Sequence, residues 1–223
     1  MQLEKLNDVK RYLREIKFSL IFGDGQITIE NDLECFSGRV PFFFGKKAIT
    51  KRNLYISQMK ELGGVLTGSA ALSMYRINGK RVFYRSPNDL DFIVSRDAFI
   101  KFCGLNGFNN VKYTNTVVSI DFFTGKDRGT DSYGHHRGYS FYTDFDVIGT
   151  DEPTAYEKVG DLKVAKLMDI ISYKLYLIDQ YASNTGKQYD RDAHREAEKH
   201  LDDLFMIVTT IAANDKNYGH QEA

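Results

Sequence analysis

Cysteine is scarce in this chain. The 223 residues hold two, Cys35 and Cys103, far apart and in no CxxC pattern. That excludes a disulfide framework, argues against a cysteine-based zinc site and fits a reducing compartment. Net charge is absent as well: Lys+Arg and Asp+Glu are equal at 30 each, so the overall balance names no nucleic-acid or membrane partner. No apolar run approaches the roughly 18–20 residues that cross a bilayer. The first stretch, MQLEKLNDVKRYLREIKF, is charged and lacks the apolar core of a signal peptide. Internal repeats and low-complexity linkers are missing too. The expectation is a cytoplasmic protein with no membrane partner.

What remains is ordinary globular composition, 42% hydrophobic and 27% charged. Leu3, Leu6, Val9, Leu13 and Ile16 recur at helical spacing. KFSLIFGDGQITIE then reads as a hairpin turning at Gly23-Asp24-Gly25. Residues 48–62 read as a helix stopped by Gly63-Gly64, and Val65-Leu66-Thr67 as a strand. Gly68-Ser69 turns that strand into the helix AALSMYRI, which Gly79-Lys80 breaks. VFY, DLDFIV, NTVVSIDFFTG and FDVIG read as strands, with a short helix from Ala98 to Leu105 among them. Residues 126–140, with His135, His136 and Arg137, read as a polar loop. DLKVAKLMDIISYKLYLIDQYA and DRDAHREAEKHLDDLFMIVTTIA read as two long helices joined by ASNTGKQ. The expected organisation is an N-terminal extension of helix plus hairpin (1–60), a core (61–155), a helical portion (156–214) and a polar tail (215–223).

The informative stretch is RSPNDLDFIV, residues 85–94. In a strand, Asp89 and Asp91 share one face while Leu90, Phe92 and Val94 take the other. Two carboxylates side by side repel, the more so when half-buried. A divalent cation removes that repulsion, and hard oxygen ligands suit Mg²⁺ or Mn²⁺. The bland reading is a solvated strand end. Three neighbouring features weigh against it. In LTGSAAL, Gly68 allows a tight turn, and Ser69 with the first helical N–H groups can meet phosphate, although Ser69 also suits a plain N-cap. In VVSIDFF, Asp121 interrupts an apolar strand and is the preferred third carboxylate, with Asp146 in DFDVIG as the alternative. Arg85-Ser86, just before the pair, can answer phosphate charge or lie at the surface. FFFGKK is no P-loop, because Val40 stands where its first glycine belongs.

Gly68-Ser69, a helix, Asp89-Leu90-Asp91-Phe92 and a later Asp121 together resemble the nucleotidyltransferase superfamily of the DNA polymerase beta type. LTGSAALSMY…YRSPNDLDFIV looks most like its AbiEii toxin-type members. DIISYKLYLID and KHLDDLFMI offer Lys174 and Asp203 at the positions of that group's later lysine and aspartate; a solvated helix lysine is the alternative for Lys174. The likeness covers roughly residues 60–210. It implies an α+β fold, a nucleotidyltransferase-like mixed β-sheet flanked by helices and followed by a helical portion. It also implies transfer of an NMP from an NTP, ATP among the candidates, to an acceptor hydroxyl with release of pyrophosphate. Asp89, Asp91 and Asp121 would hold Mg²⁺ or Mn²⁺. Gly68, Ser69, Arg85, Ser86, Lys174 and Asp203 would bind the nucleotide. Lys174 would neutralise phosphate charge in catalysis. An RNA or tRNA end or a protein side chain is the implied acceptor, with an antitoxin-like partner. A small-molecule acceptor of the aminoglycoside type and a non-catalytic nucleotide-binding or regulatory protein are the alternatives.

Overall fold

The computed structural model describes residues 3–22, 27–31, 33, 45–85, 87, 89–108, 117–120, 145–183 and 190–214. Its elements run α1 (Leu3–Phe22), β1 (Ile27–Ile29), α2 (Gly45–Glu61), β2 (Val65–Thr67), α3 (Gly68–Met74), β3 (Tyr75–Ile77), β4 (Lys80–Arg81), β5 (Leu90–Ser95), α4 (Arg96–Leu105), β6 (Val117–Ile120), β7 (Phe145–Thr150), β8 (Tyr156–Val159), β9 (Leu162–Ala165), α5 (Leu167–Ser183) and α6 (Asp190–Asn214). The fold is α+β. The chain divides into two compact units, one of residues 1–30, 72–85 and 167–223, the other of 31–71 and 86–166. None of the helices among the described residues is long and apolar enough to cross a membrane.

The second unit is built on a six-stranded mixed sheet of order β6-β7-β5-β2-β9-β8. Alternation sorts its side chains. Val118, Val147, Phe92, Leu66 and Val164 stand in register across five strands, and each is fully buried. Helices α2 and α4 supply Tyr55, Met59, Phe99 and Phe102 to the core of this unit. Tyr55 meets Phe102 edge-on at 5.5 Å and Phe145 at 5.6 Å, while Phe92 stacks on Phe145 at 5.4 Å. Fully burying one such aromatic side chain is worth about 1.5–3 kcal/mol. Helix α4 begins where Ser95 caps it, its hydroxyl accepting from the Ala98 N–H at 3.3 Å.

The first unit packs α1 and α5 against α6. Leu6, Val9 and Leu13 of α1 and Leu201, Leu204, Ile207, Val208 and Ile211 of α6 recur at three- and four-residue steps and are buried. A small antiparallel sheet of order β1-β3-β4 accompanies them. Arg76 is buried in it, donating to the Ser73 carbonyl at 2.7 Å and pairing with Glu30 at 3.0 Å.

Four expectations are corrected. The hairpin at 17–30 does not form: α1 runs on to Phe22, and β1 pairs with β3 instead. A short segment such as KFSLIF, four of its six residues apolar, reads as strand or helix alike, and a helix already nucleated gains one hydrogen bond per added residue. Second, α3 ends at Met74, and Tyr75–Ile77 is a strand turning through Asn78-Gly79 into β4. Third, Val82–Tyr84 lies outside the strands. Fourth, Leu162–Ala165 is a strand rather than the start of the long helix, so the sheet extends past residue 155. Gly160, at φ 62°, closes its hairpin with β8, and the free edge of β2 receives it in parallel. Ser86, Asp121, and residues 126–140, 184–189 and 215–223 lie outside the described residues.

Candidate metal centre

The sheet face opposite the aromatic core carries a polar row. Thr67 on β2 pairs with Asp91 on β5, Asp91 with Asp146 on β7, and Asp146 with Ser119 on β6. Cross-strand partners share a face, so the register alone gathers two aspartates and two hydroxyl side chains in one line. Asp89 sits just before β5. One carboxylate oxygen each from Asp89, Asp91 and Asp146 lie within 4.8 Å of one another, all three partly buried. Three hard oxygen donors at that spacing are the donor set of a divalent cation such as Mg²⁺ or Mn²⁺.

Gly68 lies against this cluster. Its φ is +66°, and a Cβ built there would fall inside the Asp91 carboxylate. Glycine is required twice over, for the left-handed backbone and for the space. Ser69 follows, 8% exposed. Asp89, Asp91, Gly68 and Ser69 are thus brought together at one end of the two central strands by the β2–β5 pairing. Asp146, the second choice for the third carboxylate, is the one that joins them among the described residues. A signal for it was present: Asp-Phe-Asp-Val-Ile at 144–148 repeats Asp-Leu-Asp-Phe-Ile at 89–93, and Asp91 and Asp146 are register partners.

The other predicted residues meet within the first unit. Asp203 on α6 is 2% exposed and accepts two hydrogen bonds from Arg85, Nε to Oδ1 and Nη2 to Oδ2, both at 2.9 Å. Lys174 on α5, 4% exposed, donates to Asp203 Oδ2 at 2.8 Å. Lys174 is therefore not a solvated helix lysine. Burial alone would raise the Asp203 pKa, but the Arg85 hydrogen bonds and the Lys174 charge outweigh it and hold it below the ordinary carboxylate value. His200, missed by sequence reasoning, places Nδ1 3.4 Å from Lys174 Nζ. Burial first, then the charges of Lys174 and Lys199, lower its pKa to about 3. His200 is neutral at physiological pH, so Lys174 faces an uncharged ring.

No protein-family description matches the chain, and no curated protein matches it. Among solved structures the chain is similar to the polyadenylate synthase of Megavirus, with 12% identity and a TM-score of 0.45 over 77% of this chain and 34% of that one. It is also similar to JHP933 from Helicobacter pylori, with 15% identity and a TM-score of 0.32 over 79% of this chain and 96% of that one. The chain spans about a third of the length of the Megavirus protein.

Proposed function

We propose that this chain is a metal-dependent nucleotidyltransferase, moving an NMP from an NTP to an acceptor hydroxyl. The observation that carries the reading is the meeting of Asp89, Asp91 and Asp146 on adjacent strands, with Gly68 leaving room against Asp91. The order Gly-Ser, helix, Asp-x-Asp agrees with it. A divalent cation held there would supply positive charge to phosphate oxygens and lower the pKa of an attacking hydroxyl.

The protein's own groups have separable tasks in this reading. Asp89, Asp91 and Asp146 hold the cation, and Asp121 remains a candidate to join them. Gly68 keeps side-chain bulk out of the space beside Asp91, and the Ser69 hydroxyl orients a terminal phosphate. Arg85 and Lys174, which share the Asp203 carboxylate within the first unit, stay proposed nucleotide-binding residues on the resemblance alone. An RNA end or a protein side chain is the proposed acceptor, and an antitoxin-like protein the proposed regulator.

The test is a labelling screen. The full chain is incubated with each NTP labelled at the α-phosphate, Mg²⁺ or Mn²⁺, and total RNA together with cell protein. Label entering RNA or protein, and lost in Asp89→Asn, supports the reading and names the acceptor class. Label entering only a small-molecule fraction moves the acceptor to the aminoglycoside type. NTP binding without transfer to any fraction sinks the enzymatic reading in favour of a nucleotide-binding protein.

A further inference from the structure

Ser119 is the one hydroxyl in a strand that otherwise reads Val117, Val118 and Ile120. It is 0% exposed, and its Oγ has no hydrogen-bond partner among the described residues. A buried hydroxyl is costly when it stays unanswered, and a small apolar side chain would fill the same space without that cost. Nothing in packing or in strand propensity calls for serine here.

The register supplies a reason. Ser119 is the direct antiparallel partner of Asp146, on the same sheet face, at the end of the row that runs through Asp91 to Thr67. A serine hydroxyl offers one donor and two acceptor positions, whereas an ionised carboxylate offers only acceptors. Carboxylates that ligate a cation are in turn held by hydrogen bonds, and those bonds fix their orientation.

We infer that Ser119 is a positioning residue for the carboxylate cluster: its hydroxyl, which has no partner among the described residues, would donate to Asp146 once a divalent cation is held and keep that carboxylate turned toward it. This rests on the metal-dependent reading above. Ser119 acts through Asp146 and touches neither nucleotide nor acceptor.

The experiment is a Mn²⁺ titration of the full chain, following free Mn²⁺ by electron paramagnetic resonance, with no nucleotide present. Ser119→Ala, Ser119→Thr, Ser119→Val and Asp146→Asn are compared with the unaltered chain. Ser119→Thr and Ser119→Val have nearly the same shape and differ in the hydroxyl, so their comparison stands even where Ser119→Ala folds poorly. The expected result is affinity lowered about tenfold in Ser119→Ala and Ser119→Val, and retained in Ser119→Thr. Metal-free melting of Ser119→Ala stays level or rises, and Ser119→Ala adds nothing on an Asp146→Asn background. Native affinity in Ser119→Ala and Ser119→Val, with binding lost in Asp146→Asn, overturns the role of Ser119 and leaves the metal site standing. Absence of saturable Mn²⁺ binding in the unaltered chain overturns both.

Discussion

Asp91 and Asp146 are register partners on the parallel pair β5–β7, with like charges facing the same side of the sheet. At effective protein dielectric values, such a pair within 5 Å repels by about 1–3 kcal/mol. The repulsion is tolerable where a cation belongs between them, and it has measurable consequences.

Neutralising one member should separate stability from binding. Asp146→Asn is expected to raise metal-free stability by about 1 kcal/mol, a few degrees in melting temperature. The unaltered chain is expected to gain about 2.7 kcal/mol when Mg²⁺ reaches 100 times its Kd. The gain disappears in Asp146→Asn and is reversed by EDTA. Thermal melting with and without Mg²⁺ reads both effects. A Mg²⁺ response equal in the two proteins would place the ion elsewhere.

Gly68 and Gly160 share a left-handed backbone, with φ of +66° and +62°, and differ in surroundings. A methyl group at Gly68 runs into Asp91, whereas nothing lies within 4 Å of one at Gly160. Gly160→Ala is expected to cost about 1–2 kcal/mol of backbone strain and to keep native Mg²⁺ affinity. Gly68→Ala is expected to cost as much and, in addition, to weaken Mg²⁺ binding at least about tenfold by displacing the Asp91 carboxylate. Isothermal titration beside urea unfolding distinguishes the two. Equal affinities would show that Gly68 serves the turn alone.

Asp203 accepts hydrogen bonds from both Arg85 and Lys174. Asp203→Ala leaves the Lys174 ammonium buried with its Asp203 partner removed and should cost about 3–5 kcal/mol. Lys174→Met should cost less, because Arg85 still answers Asp203 and a methionine side chain fills the lysine's volume. Urea unfolding of both variants tests the order. The reverse order would mean that the lysine, not the carboxylate, organises the group.

The pH dependence follows from His200. Its ordinary pKa of 6.5 is lowered on folding to about 3, by burial first and by Lys174 and Lys199 next. The unfolded chain takes up a proton near pH 6.5 that the folded chain refuses. The stabilisation is therefore whole above pH 6.5 and is lost as pH falls toward 3, by at most about 1.4 kcal/mol per pH unit. Asp203, also depressed, adds a loss in the same direction below its ordinary value of 3.8. His200→Gln should flatten the stability profile between pH 4.5 and 6.5, measured by urea unfolding. An unchanged slope there would show that His200 titrates normally in the folded chain.

Local reasoning reached far where pattern and chemistry coincide. Alternation in DLDFIV correctly separated Asp91 from Phe92, and helical spacing located α1, α2, α4 and α6. It failed where a short apolar run fits two periods. KFSLIF went to helix and LKVA to strand for reasons outside their own residues, an upstream helix nucleus in one case and the open edge of β2 in the other.

By itself, the order of residues determined that two carboxylates share a strand face beside a Gly-Ser turn, because side-chain alternation is a local property of extended backbone. It also determined that a lysine and an aspartate would project from two amphipathic helices. Only the tertiary structure brought Asp146 beside the pair, because that depends on which strand lies next to β5 and in what register. It likewise decided that Lys174 and Asp203 are buried against each other, since burial is a property of packed helices and no single stretch of sequence contains it.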